Sequence, residues 1–363
     1  MRIDSSASPD AIGGLFIAPV AGYTDRQFRS LCAEQGAAMG FTELASTEAI
    51  SRNFNREPRE QNKTELASYN ILRRGNKEKR YCIQLFGANP DVFYQTVLLL
   101  RPFAPDGIDI NAGCPVPKVV KNGAGSALMK DPQRLSAIVS ACVAASKEAL
   151  GSVPVSVKIR SGWDAETLNY IEVAEAAIKA GVSMVSLHPR TRSQGYSGKS
   201  DWSCIKHLVQ ELGGASVVST SSTTGGASVV EPVETTVRVC GSGDLYTPED
   251  ARRMFEETDC NAIMFARGAM GNPFIFRDTI DLLTKGSYTP PTIEERLHIG
   301  LRHLKMLAED IGEVSACLEM RKQFCAYSKT LPGQIGLHGI AGLRDKLVHA
   351  KTIAEYEELI NHE

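Results

Sequence analysis

The sequence predicts an α/β chain: a (β/α)8 barrel over residues 1–287, followed by a small helical domain over 288–363. Three observations lead there. Short apolar runs alternate with amphipathic segments from residue 15 to about 270, and there are eight of them. Each run is nearly continuous in apolar residues, the pattern of parallel strands covered on both sides. Polar or glycine-rich residues recur where the runs end, and closure into a barrel gathers those ends onto one face. A doubly wound open sheet, the alternative, would string them along an edge.

The runs are LFIAPV (15–20), AMGFTEL (38–44), YCIQLFG (81–87), GIDINAG (107–113), VPVSVKIR (153–160), SMVSLHPR (183–190), VRVCGSGD (237–244) and AIMFARGA (262–269). Between them, 132–150 places Leu135, Ile138, Val139 and Cys142 on one helical face, and 166–181 closes on Gly181, a helix stop. After Pro290 and Pro291, Thr292 and Glu295 form a capping-box pattern ahead of a helix with Ile293, Leu297, Leu301, Leu304 and Leu307 in period. Further helical patterns run through 315–329 and 341–362. Residues 213–236 stand apart: GGASVV occurs twice around a Ser/Thr run, which predicts a flexible surface insertion before the seventh strand.

Composition narrows the class. A hydrophobic content of 43% and a charged content of 23% are those of a soluble globular protein. Nine cysteines, an odd number without a CxxC pair, predict reduced thiols in a cytoplasmic protein, with neither a disulfide framework nor a metal site. No signal-peptide pattern and no long apolar run predicts membrane contact. A net charge of −2 means that any polyanionic partner is met by a local basic face.

The strand ends carry residue types that suit flavin mononucleotide. Gln84 is placed to bond an isoalloxazine edge, and Lys158 to stabilise negative charge on the reduced ring. Ser242-Gly243-Asp244 and Ala266-Arg267 end the last two strands, the usual phosphate position of this fold. Cys114 sits in a Gly-Pro turn just past the fourth strand. As a packing residue it is a small thiol in a tight loop; as a chemical one it is an acid or nucleophile held over a ligand. A free thiol has a pKa of about 8.5, so it is protonated at neutral pH and able to act as an acid.

The stretch IDINAGCP (108–115), with Val119, Gly125 and Ser126 downstream, resembles the signature of the tRNA-dihydrouridine synthase family. APVAGYTDRQFR (18–29), QLFG (84–87), VKIRSGW (157–163), HPRTRSQGYSGKSDW (188–202), GNPFIF (271–276) and MRKQFCAYSKTLPG (320–333) resemble family segments in the same order. The resemblance covers about 15–350, less the insertion. It implies an FMN-containing barrel with a helical tRNA-binding domain, which reduces the C5=C6 bond of uridines in tRNA with NADPH or NADH as reductant.

Carried over by residue, Pro19, Val20 and Ala21 would line the flavin by backbone. Gln84, Lys158, His188 and Arg267 would hold it, and Ser242, Gly243, Asp244 and Ala266 would shape the phosphate turns. Reduced flavin would give hydride to C6 and Cys114 a proton to C5, while Asn111 would touch the target uracil. Lys118, Lys121, Arg190, Arg192, Arg321 and Lys322 would meet tRNA, with the protein acting as a monomer. The sequence departs from the family pattern at Ser242, Pro189 and Ala266. Two alternatives stand beside this reading: a barrel flavin reductase of a small pyrimidine or enone, and an RNA-binding homologue without catalysis.

Overall fold

The computed structural model describes residues 14–54, 70–212, 216–218, 234–330 and 340–361. Eight strands form the barrel: β1 (Leu15–Ile17), β2 (Met39–Phe41), β3 (Tyr81–Phe86), β4 (Gly107–Ala112), β5 (Val155–Arg160), β6 (Met184–His188), β7 (Arg238–Ser242) and β8 (Ala262–Phe265). Every neighbouring pair is parallel, and β1 pairs both with β2 and with β8 (Leu15 opposite Ile263), while β2 pairs with β3. The sheet is therefore closed. β1 is shorter than its apolar run because Pro19 has no N–H to donate; Ala18 makes the last bond, 2.8 Å to the Phe265 carbonyl.

Strand alternation sorts the side chains. Ile108, Ile110, Val157, Ile159, Val185 and Leu187 belong to the large core under the helices. The residues between them point into the barrel. At one end the interior is apolar, with Phe16, Phe41, Cys82, Cys240 and Met264 in contact. Elsewhere it is polar, with Gln84, Asp109, Asn111 and Ser156 all buried.

Each strand is followed by a helix: α1 (Arg26–Glu34), α2 (Thr47–Phe54), α3 (Pro90–Leu99), α4 (Pro132–Ala149), α5 (Tyr170–Lys179), α6 (Ser203–Leu212), α7 (Pro248–Thr258) and α8 (Ile275–Lys285). Asp25 caps α1 by accepting from the Gln27 and Phe28 amides, both at 3.0 Å. α5 begins four residues later than its periodicity predicts. Asp164 draws the Glu166 and Thr167 amides into a turn at 3.1 and 3.0 Å, competing with the helix.

The 213–236 segment is more structured at its flanks than its composition predicts. Ser216–Val218 and Glu234–Thr236 pair antiparallel, so the chain leaves and returns at one place. Residues 219–233 lie outside the described residues.

The tail folds as α9 (Ile293–Ile311), α10 (Glu313–Tyr327), α11 (Ile340–His349) and α12 (Ile353–Asn361). The Thr292/Glu295 capping box forms. α9 lies against α1: His303 bonds both Asp25 oxygens at 3.1 Å, Asp310 takes Arg26 and Gln27, and Arg302 pairs with Glu34 at 2.6 Å. Arg296, 1% exposed, donates to the Gly271 carbonyl (2.9 Å) from the barrel and to those of Ala326 (2.8 Å) and Lys329 from the tail. One apolar cluster runs continuously from the barrel helices to Leu304, Phe324 and Tyr356. Among the described residues no helix is long and apolar enough to cross a membrane.

Candidate active site

A cavity of about 420 Å³ opens at the C-terminal ends of the strands. Every cofactor-binding residue expected from sequence lines it except Gln84, and Asn111 and Cys114 line it too. The loop after β1 is held by hydrogen bonds: the Val20 amide donates to Thr24 Oγ1 (2.9 Å) and the Gly22 amide to the half-buried Glu43 carboxylate (2.7 Å). Pro19, Val20 and Ala21 thus face the cavity from a fixed backbone.

Cys114 is 8% exposed. Its amide donates to Asn111 Oδ1 at 2.9 Å, and its carbonyl accepts from the Ser126 amide (3.0 Å) and hydroxyl (2.9 Å). Burial pushes its thiol pKa up, against smaller opposing effects from the Val116 amide and Arg160. The thiol is thus protonated at neutral pH, the form a proton donor needs.

Gln84 lies beneath the cavity floor, fully buried. Its Nε2 donates to Asp109 at 2.6 Å and its Oε1 accepts from Asn111 Nδ2 at 3.0 Å. Asn111 Oδ1 takes the amides of both Gly113 (3.2 Å) and Cys114 (2.9 Å). Both its lone pairs are then engaged, and one N–H remains for the cavity.

The cavity is otherwise cationic, lined by Lys158, Arg160 and Arg267. Burial and the nearby Arg160 lower the Lys158 pKa to about 8, with Asp109 opposing, so its charge persists at neutral pH. His188 is pushed down to about 2 by burial and by Lys158, Arg160, Arg190 and Arg267, and is neutral. Arg190 Nη1 lies 3.2 Å from its Nε2; a guanidinium only donates, so the ring proton sits on Nδ1. Asp244 is ionised: burial raises its pKa, but the Ser200 amide and the Arg190 and Arg267 guanidiniums outweigh it. That carboxylate holds Arg190 (2.7 Å), Arg267 (2.9 Å) and the Ser200 amide (2.8 Å), so it shapes the turn rather than touching a phosphate. Gly243 has φ +109, and a Cβ there would stand 2.3 Å from Ser200 Oγ and 2.8 Å from His188 Cδ2. Only glycine admits so close a turn. The Ser242 hydroxyl is turned away, onto the Met264 carbonyl at 3.3 Å.

The candidate RNA contacts divide. Lys118 and Lys121 are exposed on a short helix just past Cys114. Arg192 lies over the Trp163 ring at 4.8 Å, with Lys130 over the same ring at 4.6 Å. Arg190 is placed differently. It is 1% exposed, and its guanidinium is held by Asp244, the Ser197 and Gly198 carbonyls and His188. Arg321 and Lys322 are half-buried on α10; Lys322 pairs with Glu319 at 2.6 Å and reaches toward Gly22 at the seam with the barrel.

The sequence reading missed Asp109, Arg160, Tyr196 and Tyr246. Arg160 donates to the carbonyls of Gly113 (2.8 Å), Thr191 (2.9 Å) and Gly195 (2.9 Å), tying the cysteine loop to the loop after β6. Tyr196 and Tyr246 stand at the cavity mouth with the Arg267 guanidinium 5.2 and 5.1 Å from their rings. Asp109 and Arg160 had a signal, a charge inside a strand buried on both sides. The tyrosines lie in loops and had none.

Fold and site together define a (β/α)8 barrel enzyme with a protonated thiol at the rim of a cationic pocket. The chain belongs to the dihydrouridine synthase (Dus) family, whose sequence profile matches residues 16–219 and 227–359. A probable tRNA-dihydrouridine synthase of Treponema pallidum is 43% identical over 96% of this chain and 92% of its own. The tRNA-dihydrouridine synthase B of Pasteurella multocida is 30% identical over 90% of this chain and 86% of its own. A solved complex of 2-naphthoyl-CoA reductase, 11% identical, superposes with a TM-score of 0.51, a likeness of fold; the match covers 75% of this chain and 50% of that one.

Proposed function

We propose that this protein is an FMN-dependent tRNA-dihydrouridine synthase, reducing the C5=C6 bond of a uridine in tRNA with NADPH or NADH as reductant. The observation that carries the proposal is Cys114: a thiol whose pKa is raised by burial, in a cavity that is also lined by Lys158, Arg160 and Arg267. The names of the relatives support the substrate and the reaction.

The residues present fit FMN. The cavity's cations outnumber Asp244, the Gly243 turn admits close backbone approach, and neutral His188 adds a polar ring. Lys158 and His188 would hold the ring system, and Arg267 with the 242–244 and 266–267 turns the phosphate. Bound there, the flavin supplies the two-electron reduction of the C5=C6 bond. Cys114 gives its proton to C5. The remaining Asn111 N–H donates to a uracil carbonyl. The target base leaves its stack to enter the cavity, and Lys118, Lys121 and Arg192 hold the surrounding phosphates. On this reading the enzyme works where tRNA is, in the cytoplasm.

The test is direct. Purified protein is yellow and releases FMN on denaturation. Deleting its gene removes dihydrouridine from at least one tRNA position. Cys114→Ala retains flavin and loses turnover by about 100- to 10,000-fold, the range for removal of a general acid. A protein that cannot be loaded with FMN refutes the proposal; a yellow protein without effect on any tRNA moves the reading to a small-molecule reductase.

A further inference from the structure

Beneath the cavity floor a chain of hydrogen bonds runs from the cysteine loop into the barrel. The Gly113 and Cys114 amides donate to Asn111 Oδ1 (3.2 and 2.9 Å), Asn111 Nδ2 to Gln84 Oε1 (3.0 Å), and Gln84 Nε2 to Asp109 Oδ2 (2.6 Å). Ser156 Oγ donates to the other Asp109 oxygen at 2.6 Å. Asp109 is 0% exposed and does not line the cavity.

The direction of this chain is forced from both ends. Backbone amides only donate, and an ionised carboxylate only accepts. Each carboxamide between them has a single orientation that satisfies its neighbours. Asn111 must present oxygen to the cysteine loop and nitrogen to Gln84, so its one uncommitted group toward the cavity is an N–H. A donor there matches a carbonyl oxygen, as on uracil, and offers nothing to an exocyclic amine, as on cytosine. An amide without such anchors turns over readily, because its oxygen and nitrogen ends are nearly isosteric.

We propose that Asp109 is a positioning residue: through Gln84 it fixes the orientation of Asn111, and with it the seat of the Cys114 thiol and the donor-only face shown to the substrate. The proposal rests on the functional reading above for its substrate, but its geometry is testable without it. Hydrogen bonding carries the effect. An asparagine at 109 accepts from Gln84 through Oδ1 and donates to Ser156 through Nδ2, so it preserves the chain without the charge.

The experiment compares flavin-loaded wild type, Asp109→Ala, Asp109→Asn and Gln84→Ala at matched FMN content. The first readout is alkylation of Cys114 by iodoacetamide, followed by peptide mass mapping. Asp109→Ala alkylates several-fold faster, because the loop loosens around a thiol that is 8% exposed; Asp109→Asn returns to the wild-type rate. The second is steady-state dihydrouridine formation on tRNA. Asp109→Ala loses roughly 10- to 100-fold in kcat, the cost of a misplaced reacting group, with KM within about twofold; Asp109→Asn restores kcat. An Asp109→Ala protein with wild-type alkylation and kcat overturns the proposal, and so does an Asp109→Asn protein as impaired as Asp109→Ala. If Asp109→Ala does not fold, Gln84→Ala cuts the same chain one link later and decides in the same way. If wild type makes no dihydrouridine, the functional reading falls, while alkylation still judges the positioning.

Discussion

Gly125→Ala tests whether the seat of Cys114 matters to both stability and chemistry. Gly125 has φ +60, and a Cβ added there would lie 2.8 Å from the Cys114 carbonyl oxygen, 2.9 Å from Val119 Cγ1 and 3.1 Å from Cys114 Cβ. The left-handed backbone alone costs an alanine about 1–2 kcal/mol. Overpacking adds about 1–3 kcal/mol, because the Cys114 carbonyl is held by two bonds from Ser126 and cannot retreat freely. The sum is about 2–5 kcal/mol. Gly151→Ala isolates the first cost: Gly151 has φ +69 with nothing within 4 Å of the added carbon. At roughly 2 °C per kcal/mol for a large domain, Gly125→Ala melts about 4–10 °C below wild type and Gly151→Ala about 2–4 °C below. Turnover separates them further. Moving the thiol by a fraction of an ångström costs Gly125→Ala up to about 100-fold in dihydrouridine formation, with FMN retained, while Gly151→Ala keeps full activity. A Gly125→Ala protein that melts with Gly151→Ala and turns over like wild type refutes the reasoning.

Other expectations follow from the same geometry. Lys118→Ala and Lys121→Ala each weaken tRNA binding and reduce the slope of log affinity against log salt by about 1, read by filter binding at several salt concentrations. Arg190→Ala leaves that slope unchanged and lowers thermal stability instead, since its partners are Asp244 and loop carbonyls. Asp109, pushed up to about 6 chiefly by burial, carries a folded-state pKa above its unfolded value. Its ionised form therefore costs stability above about pH 6, and the cost disappears as pH falls toward 4. Urea unfolding at pH 7 and pH 4.5 shows wild type gaining on Asp109→Asn by roughly 2 kcal/mol over that interval. Arg296→Met leaves the buried Gly271 carbonyl without its side-chain donor and removes the ties to the Ala326 and Lys329 carbonyls, which destabilises the protein by about 1–3 kcal/mol in urea, with the seam between barrel and tail opening first.

The barrel was legible because its signals are local. Apolarity and period mark a strand from its own residues, and eight parallel strands with active ends alike leave few ways to close. The Thr292 and Glu295 box was legible for the same reason, since both partners lie within one turn. So was the cluster of residue types at the strand ends, which brought all but one of the expected cofactor residues to a single cavity. The start of α5 was not legible by period, because Asp164 competes for the same amides.

What a side chain faces was decided only by closure. Asp109 reads as the polar half of an alternation until the barrel brings Gln84 and Ser156 onto its two oxygens, from 25 and 47 positions away. Arg190 reads as a free cation until Asp244, 54 positions on, takes it. Cys114 carries a thiol in any fold, but burial in this one raises its pKa further and sets it against the cavity. A chain's own order sets which groups it possesses and the period at which they repeat. Their charge state and direction depend on neighbours that are distant in sequence, because hydrogen bonds and desolvation act over a few ångströms of space.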